Sequence, residues 1–262
     1  MTDQPVLIPT TVGPIGGMVS EPEGGAKAAA VLLAGVGGRR FGVNRLWTEL
    51  AWDLVGQGYV VLRVDYPGGQ GDSSLATKDG SPGPFREVVG WFRERTSGLP
   101  IALIGSCFGA RLAATAGARE PQVLGVGFIT PTFVRWKQRK ANGNGDGSSS
   151  LADRVRRRLK KKVGRVAPLA LDPRLAAAVS ATLERTRVWA VVGEKDHRSR
   201  TDLSRLQTML QKQGREGFQV DEIPGTILHT QPSLHGQRTT RERVVEWATR
   251  LLDQVDQEVV GS

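Results

Sequence analysis

Short apolar runs alternate with amphipathic segments over most of the chain. The runs typical of strands cover residues 6–9, 14–19, 28–33, 59–64, the start of 101–113, 123–129, 188–192 and 218–223. Helical spacing of apolar positions covers 46–55, 85–96, 201–213 and 240–255. Segment 101–113 begins as a strand and ends as a helix that continues to about 116. The first two runs predict an N-terminal hairpin, and the remaining pattern predicts strands that alternate with helices.

This alternation is typical of a mostly parallel sheet flanked by helices, so we expect an α/β fold. A chain of 262 residues is long enough for one large domain, and we predict a single domain over 1–262 with one insertion at 132–173. Such sheets carry their chemistry at the carboxyl ends of the strands, and the candidate catalytic residues below follow such ends.

The net charge of +10 is concentrated in the insertion. Residues 135–165 carry twelve basic side chains against two acidic ones, so the rest of the chain is neutral overall. Leu151, Val155, Leu159 and Val163 add a narrow apolar stripe with a spacing of four residues. Because the basic character belongs to one segment and no base-reading motif accompanies it, we expect no nucleic-acid partner.

Three further features of the sequence limit the kind of protein this can be. No apolar stretch has transmembrane length, and residues 1–6 lack the regions of a signal peptide, so we expect no membrane span and a cytoplasmic location. The single cysteine cannot form an intramolecular disulfide, which agrees with a reducing compartment. The sequence contains no metal-ligand cluster and no nucleotide fingerprint, and we therefore expect no cofactor.

Cys107 lies between Gly105 and Gly109, where an apolar run turns into a helical segment. This G-x-C-x-G spacing is typical of a nucleophile elbow, a turn so tight that side chains two residues before and after the nucleophile would clash. Ser106 does not fit this role, because the residues at 104 and 108 are not glycines. A lone cysteine is more often a small buried hydrophobe, but the glycine-flanked turn favours Cys107 as a nucleophile.

In their order along the chain, segments 34–38, 65–73, 105–109, 193–196 and 224–229 resemble the α/β-hydrolase family. The resemblance covers nearly the whole chain and implies an α/β-hydrolase fold with a lid insertion at 132–173. The cysteine at the elbow is similar to that of dienelactone hydrolases, which use a Cys-His-Asp triad. Residues 44–50 look more like the general serine-hydrolase branch, so a dienelactone hydrolase-like and a thioesterase-like enzyme both stay open.

The resemblance assigns a base and an acid to the nucleophile. His229 follows the last predicted strand by a short loop and is the expected general base, with His235 as the alternative. Asp196 is the expected acid that orients the imidazole, with Glu194 as its rival. His197 is expected to be solvated or to make a local hydrogen bond.

Acyl transfer also needs donors for an oxyanion, and the resemblance implies the backbone N–H groups of Phe108 and Val36. Arg39 and Arg40, beside Val36, are expected either to be solvated or to meet an acidic substrate. Residues 131–137, where thioesterase relatives sometimes carry the acid, contain no carboxylate. We therefore do not expect the acid there.

We predict an acyl-transfer enzyme that works through a cysteinyl acyl-enzyme on an ester or thioester, with hydrolase, thioesterase, acyltransferase and cyclase chemistry all open. Insertions in this fold cap the pocket, so the basic segment is a solvated lid, a membrane-surface contact or a docking surface for an acidic partner such as an acyl carrier protein. The side chains expected to bind substrate or partner are Arg156, Arg157, Arg158, Lys160, Lys161 and Lys162. The alternative is a non-catalytic scaffold of the same fold that binds an acidic partner through this lid.

Overall fold

One sheet of eight strands lies at the centre of the computed structural model, which describes residues 1–35, 39–65, 83–133, 171–228 and 233–260, with side chains up to 254. The strands are β1 (Thr2–Ile8), β2 (Ile15–Glu21), β3 (Ala28–Leu33), β4 (Tyr59–Val64), β5 (Ile101–Ser106), β6 (Val123–Ile129), β7 (Arg187–Gly193) and β8 (Phe218–Ile223). Their order across the sheet is β1-β2-β4-β3-β5-β6-β7-β8. β2 is antiparallel to β1 and β4, and all other neighbours are parallel. The mostly parallel α/β sheet is therefore confirmed.

The parallel register brings the carboxyl ends of the central strands to one edge of the sheet. Gly105 on β5 lies opposite Leu33 on β3, and Ile129 on β6 lies opposite Val191 on β7. β7 and β8 continue the same direction. The segments that follow β3, β5, β6, β7 and β8 consequently share this edge, which is where such sheets hold their chemistry.

In the described residues, six α-helices cover the two faces of the sheet: α1 (Leu46–Gly56), α2 (Gly83–Arg95), α3 (Phe108–Gly117), α4 (Pro173–Leu183), α5 (His197–Lys212) and α6 (Leu234–Val260). α1 and α6 pack against strand residues such as Ala30 and Trp189, while α2 to α5 pack on the opposite face against Val31 and Leu103. Because both faces are covered, the central strands are apolar at consecutive positions. None of the helices described is long and apolar enough to cross a membrane.

The strands and helices expected from the sequence are present. The structure begins β1 at Thr2 and not at residue 6, corrects two helix starts and adds one helix. α5 and α6 begin at His197 and Leu234, earlier than the expected starts at 201 and 240. α4 was not predicted. Its signal is Asp172, whose Oδ1 accepts the N–H of Arg174 at 3.1 Å, followed by Pro173 in the first turn.

α6 is fastened to α1 by a charged cluster. The Arg241 guanidinium donates to the Asp53 carboxylate at 2.6 and 2.9 Å and also donates to Glu49. Hydrogen bonding to Asp53 raises the pKa of Arg241, so the guanidinium stays charged. The buried Tyr59 hydroxyl donates to the Ala248 carbonyl at 2.8 Å, and burial raises the pKa of this phenol. These contacts fix the position of the helix that follows the predicted general base.

Candidate active site

Cys107 occupies the tight turn between β5 and α3. Its backbone has φ 50° and ψ −111°, a conformation that costs a non-glycine residue about 1–3 kcal/mol. A Cβ at Gly105 would lie 2.3 Å from the carbonyl oxygen of Gly109, and a Cβ at Gly109 would lie 2.0 Å from the carbonyl oxygen of Leu33. Both positions therefore require glycine, and the turn is as strained as the G-x-C-x-G spacing implies.

The segment that follows β3 and the last residue of β6 both contact the elbow. A Cβ at Gly35 would lie 3.1 Å from the Cβ of Cys107, so the segment after β3 passes directly beside the thiol side chain. The N–H of Cys107 donates to the carbonyl of Ile129 at 3.1 Å. Cys107 itself is partly exposed. The thiol is thus held at the carboxyl edge of the sheet while keeping access to solvent.

The first turn of α3 supplies a favourable electrostatic setting for the sulfur. Cys107 directly precedes this helix, and the helix dipole favours a negative charge at that end. Phe108 is the first residue of α3, so its N–H, the predicted oxyanion donor, has no acceptor within the helix. Val36, the other predicted donor, lies outside the described residues.

Arg40, four residues after Val36 in the sequence, is anchored by an ion pair. Arg40 donates its backbone N–H to Asp65 Oδ1 at 3.0 Å, and its guanidinium donates to the other oxygen of the same carboxylate. Asp65 is buried at the end of β4. The expectation of a solvated or substrate-facing Arg40 is therefore replaced by a structural role. Arg39 is exposed, with its guanidinium 5.5 Å from the centre of the Phe41 ring.

Asp196 follows β7 and is only 6% exposed. Its Oδ2 accepts the N–H of Gly193 at 3.2 Å and the N–H of Leu228 at 2.7 Å. Leu228 immediately precedes His229, which lies outside the described residues. The carboxylate is therefore tied to the segment that carries the predicted base, an arrangement that an ordinary solvated turn aspartate would not have.

The rival residues are all exposed. The Glu194 carboxylate accepts a hydrogen bond from the N–H of Gly225 at 2.6 Å, so Glu194 holds the turn after β8. His197 is the first residue of α5, and His235 is the second residue of α6. Of these four residues, Asp196 alone is buried and accepts a hydrogen bond from Leu228, the residue before His229.

The lid side chains named from the sequence lie outside the described residues: Arg156, Arg157, Arg158, Lys160, Lys161 and Lys162. The described residues form an open cavity of about 450 Å³ whose lining includes Pro100, Val123 and Arg187. These three residues stand at the amino ends of β5, β6 and β7, the opposite edge of the sheet from Cys107. The cavity is therefore separate from the candidate active site.

Comparison with known proteins identifies similar folds. A family model described as alpha/beta hydrolase fold matches residues 31–168. An alpha/beta hydrolase from Penicillium sp. sh18 has a TM-score of 0.67 and 15% identity, over 97% of this chain and 100% of that one. A dienelactone hydrolase from Anabaena variabilis has a TM-score of 0.66 and 15% identity, over 94% and 96% of the two chains.

A highly thermostable carboxyl esterase from Bacillus coagulans is also similar, with a TM-score of 0.65 and 12% identity over 97% of this chain and 99% of that one. No curated protein matches the sequence. At these identities the solved structures establish the shared fold alone.

Proposed function

The chain belongs to the alpha/beta hydrolase fold family, and we propose that it is an acyl-transfer enzyme in which Cys107 forms a covalent acyl intermediate with an ester or thioester. The observation that carries this proposal is the strained backbone of Cys107, at φ 50° between two glycines that have no room for a Cβ. A cysteine that only filled the core would not need a turn that presents its sulfur at the catalytic edge of the sheet.

In the proposed reaction, His229 accepts the proton of the Cys107 thiol, and the thiolate attacks the carbonyl carbon of the substrate. The N–H groups of Phe108 and Val36 donate to the oxyanion of the tetrahedral intermediate. The intermediate collapses when the bond to the leaving group breaks, and that group takes the proton from His229. Water or another nucleophile, deprotonated by His229, then attacks the thioester and releases the enzyme, while Asp196 holds the imidazole in one tautomer.

The structural neighbours support this reaction type, because the names dienelactone hydrolase and carboxyl esterase both denote cleavage of an ester bond. A thioester intermediate also reacts with amines, alcohols and carbanions, so the proposal covers thioesterase, acyltransferase and cyclase activity. The proposed chemistry uses no cofactor. A thiol nucleophile persists best in a reducing compartment, and we propose a cytoplasmic location for that reason.

Trapping of the acyl-enzyme tests the proposal. Incubation with p-nitrophenyl acetate or with a small acetyl thioester, followed by an acid quench, should give a protein that is heavier by one acetyl group. Peptide mapping should assign the group to Cys107, the only thiol in the chain, and neutral hydroxylamine should remove it. An adduct on another residue, or turnover without any adduct at Cys107, would contradict the proposal.

The second candidate is a non-catalytic scaffold that binds an acidic partner, and the concentration of the whole net charge of +10 in residues 135–165 favours it. Such a module requires neither a strained elbow nor a buried Asp196 bonded to Leu228. Iodoacetamide at pH 6 discriminates the two candidates. An activated Cys107 should react rapidly at this pH, where an ordinary thiol reacts slowly.

The basic segment leads to a prediction about the form of the substrate. If it docks an acidic acyl carrier protein, glutamine at all six positions (Arg156, Arg157, Arg158, Lys160, Lys161 and Lys162) should raise the KM for a carrier-bound thioester by about tenfold or more. The KM for a small soluble thioester should stay unchanged, because the charges act on encounter with the carrier. The difference should shrink with added salt, as screening shortens to ~8 Å near physiological ionic strength.

Glutamine at Arg243 and Arg250, which are half-exposed on α6, is the control for a general loss of positive charge and should leave both KM values unchanged. Steady-state kinetics with both substrates at several salt concentrations measure the effect. An equal response of the two substrates, or no response of either, would restrict the basic segment to covering the pocket.

A further inference from the structure

The hydroxyl of Thr132 lies 3.9 Å from Sγ of Cys107, within reach of a hydrogen bond that involves sulfur. Thr132 follows β6 and is 8% exposed, so its hydroxyl is largely withdrawn from solvent. We propose that Thr132 is a further catalytic residue, whose hydroxyl donates a hydrogen bond to the Cys107 thiolate. The inference rests on the proposed function, in which this sulfur is the nucleophile.

The backbone before Thr132 is held in an unusual conformation. Thr130 has φ 43°, which is rare for a β-branched residue, and its N–H donates to the carbonyl of Val191 at 2.8 Å. The chain therefore bends at Thr130 as it leaves β6. Such strain persists where the surroundings fix it, and here the hydrogen bond to β7 does so.

The backbone after Thr132 is fixed as firmly. The N–H of Phe133 donates to the carboxylate of Asp202 at 3.1 Å, and Asp202 is only 2% exposed. The carbonyl of Phe133 accepts the N–H of Asp172 at 2.8 Å. The buried Phe133 ring packs edge-on against Phe128, with 5.2 Å between ring centres. Because both flanks are anchored, the Thr132 hydroxyl is presented to the sulfur by rigid elements.

Ionisation of the thiol decides which of the two groups donates the hydrogen bond. In the neutral state either group can donate, whereas a thiolate can only accept, so the Thr132 hydroxyl must then be the donor. A hydrogen bond to the charged form of a group favours that form. A carboxylate at position 132 would instead repel the thiolate. An uncharged donor stabilises the anion and leaves the role of base to histidine.

The pH dependence of alkylation tests the inference without any acyl substrate. Since Cys107 is the only cysteine, iodoacetamide reports on this sulfur alone. In the full chain with Thr132→Val, the pH midpoint of alkylation should rise, and the rate at pH 6 should fall roughly three- to tenfold. Thr132→Ser retains the hydroxyl and should keep the midpoint of the unsubstituted protein.

Thr182→Val is the matched control. It also removes a buried hydroxyl, which donates to the Ala178 carbonyl at 2.8 Å, but Thr182 packs at the far end of α3, beside Gly117. An unchanged midpoint in Thr132→Val, or an equal rise in Thr132→Ser or Thr182→Val, would overturn the inference. Circular dichroism checks each fold, and Thr132→Ala replaces the valine variant if that variant does not fold. A raised midpoint together with a failed trapping experiment would support the hydrogen bond and reject the proposed function alone.

Discussion

Replacement of Cys107 by alanine should abolish acyl turnover, with a loss of about 10⁴-fold or more. The alanine variant keeps the elbow, the oxyanion donors and the base but has no atom that can form the acyl bond. Cys107→Ser should leave a weak hydrolase, because the serine hydroxyl occupies the same turn and is much harder to ionise than a thiol. Initial rates with a small chromogenic ester and with a thioester measure both variants.

Ser106→Ala provides the matched control for this prediction. Ser106 is the last residue of β5 and stands directly before the nucleophile, yet the glycines at 105 and 109 are centred on Cys107. Loss of its hydroxyl should leave turnover close to that of the unsubstituted protein. Full activity in Cys107→Ala, or a loss in Ser106→Ala as large as that in Cys107→Ala, would refute the assignment of the nucleophile.

Local patterns were sufficient to predict the strands, five of the six described helices and the elbow. Each central strand is a compact apolar run, because helices cover both faces of the sheet. The elbow could be predicted from three residues, since the close approach of Gly105 to Gly109 leaves no alternative to glycine within the motif itself. In both cases the physical cause lies within a few neighbouring residues.

Two of the features that were not predicted depend on contacts between distant segments. Arg40, in the segment after β3, pairs with Asp65, directly after β4. Thr132, after β6, approaches Cys107, directly after β5. Residues 131–137 contain no carboxylate, and no local pattern indicates that the Thr132 hydroxyl approaches Cys107. α4 had a local signal in the Asp172-Pro173 start. It was not predicted because this start lies at the end of the predicted insertion.

Asp196 could be predicted in part from the sequence and in part only from the fold. Its place after β7 was predicted from order along the chain, whereas its burial and its bond to Leu228 appear only when β7 and β8 lie side by side. The N–H groups of Gly193 and Leu228 both donate to one oxygen of the Asp196 carboxylate, which is only 6% exposed. A carboxylate bonded to the residue before His229 is suited to the predicted task of orienting the imidazole.

His229→Ala should slow acylation of Cys107 by about two orders of magnitude or more, in line with the contribution of a general base. His235→Ala should change the rate little, because His235 is exposed in the first turn of α6. Asp196→Asn should also slow acylation, and in combination with His229→Ala it should add almost nothing, since the acid acts only through the imidazole.

Stopped-flow measurement of the acylation burst separates this step from release of the acyl group. A large loss in His235→Ala with little change in His229→Ala would move the base to α6. Small and equal losses in both histidine variants would argue against a triad. Full additivity of Asp196→Asn with His229→Ala would mean that the carboxylate supports only the backbone of Gly193 and Leu228, because its hydrogen bonds to those residues would then account for its entire effect.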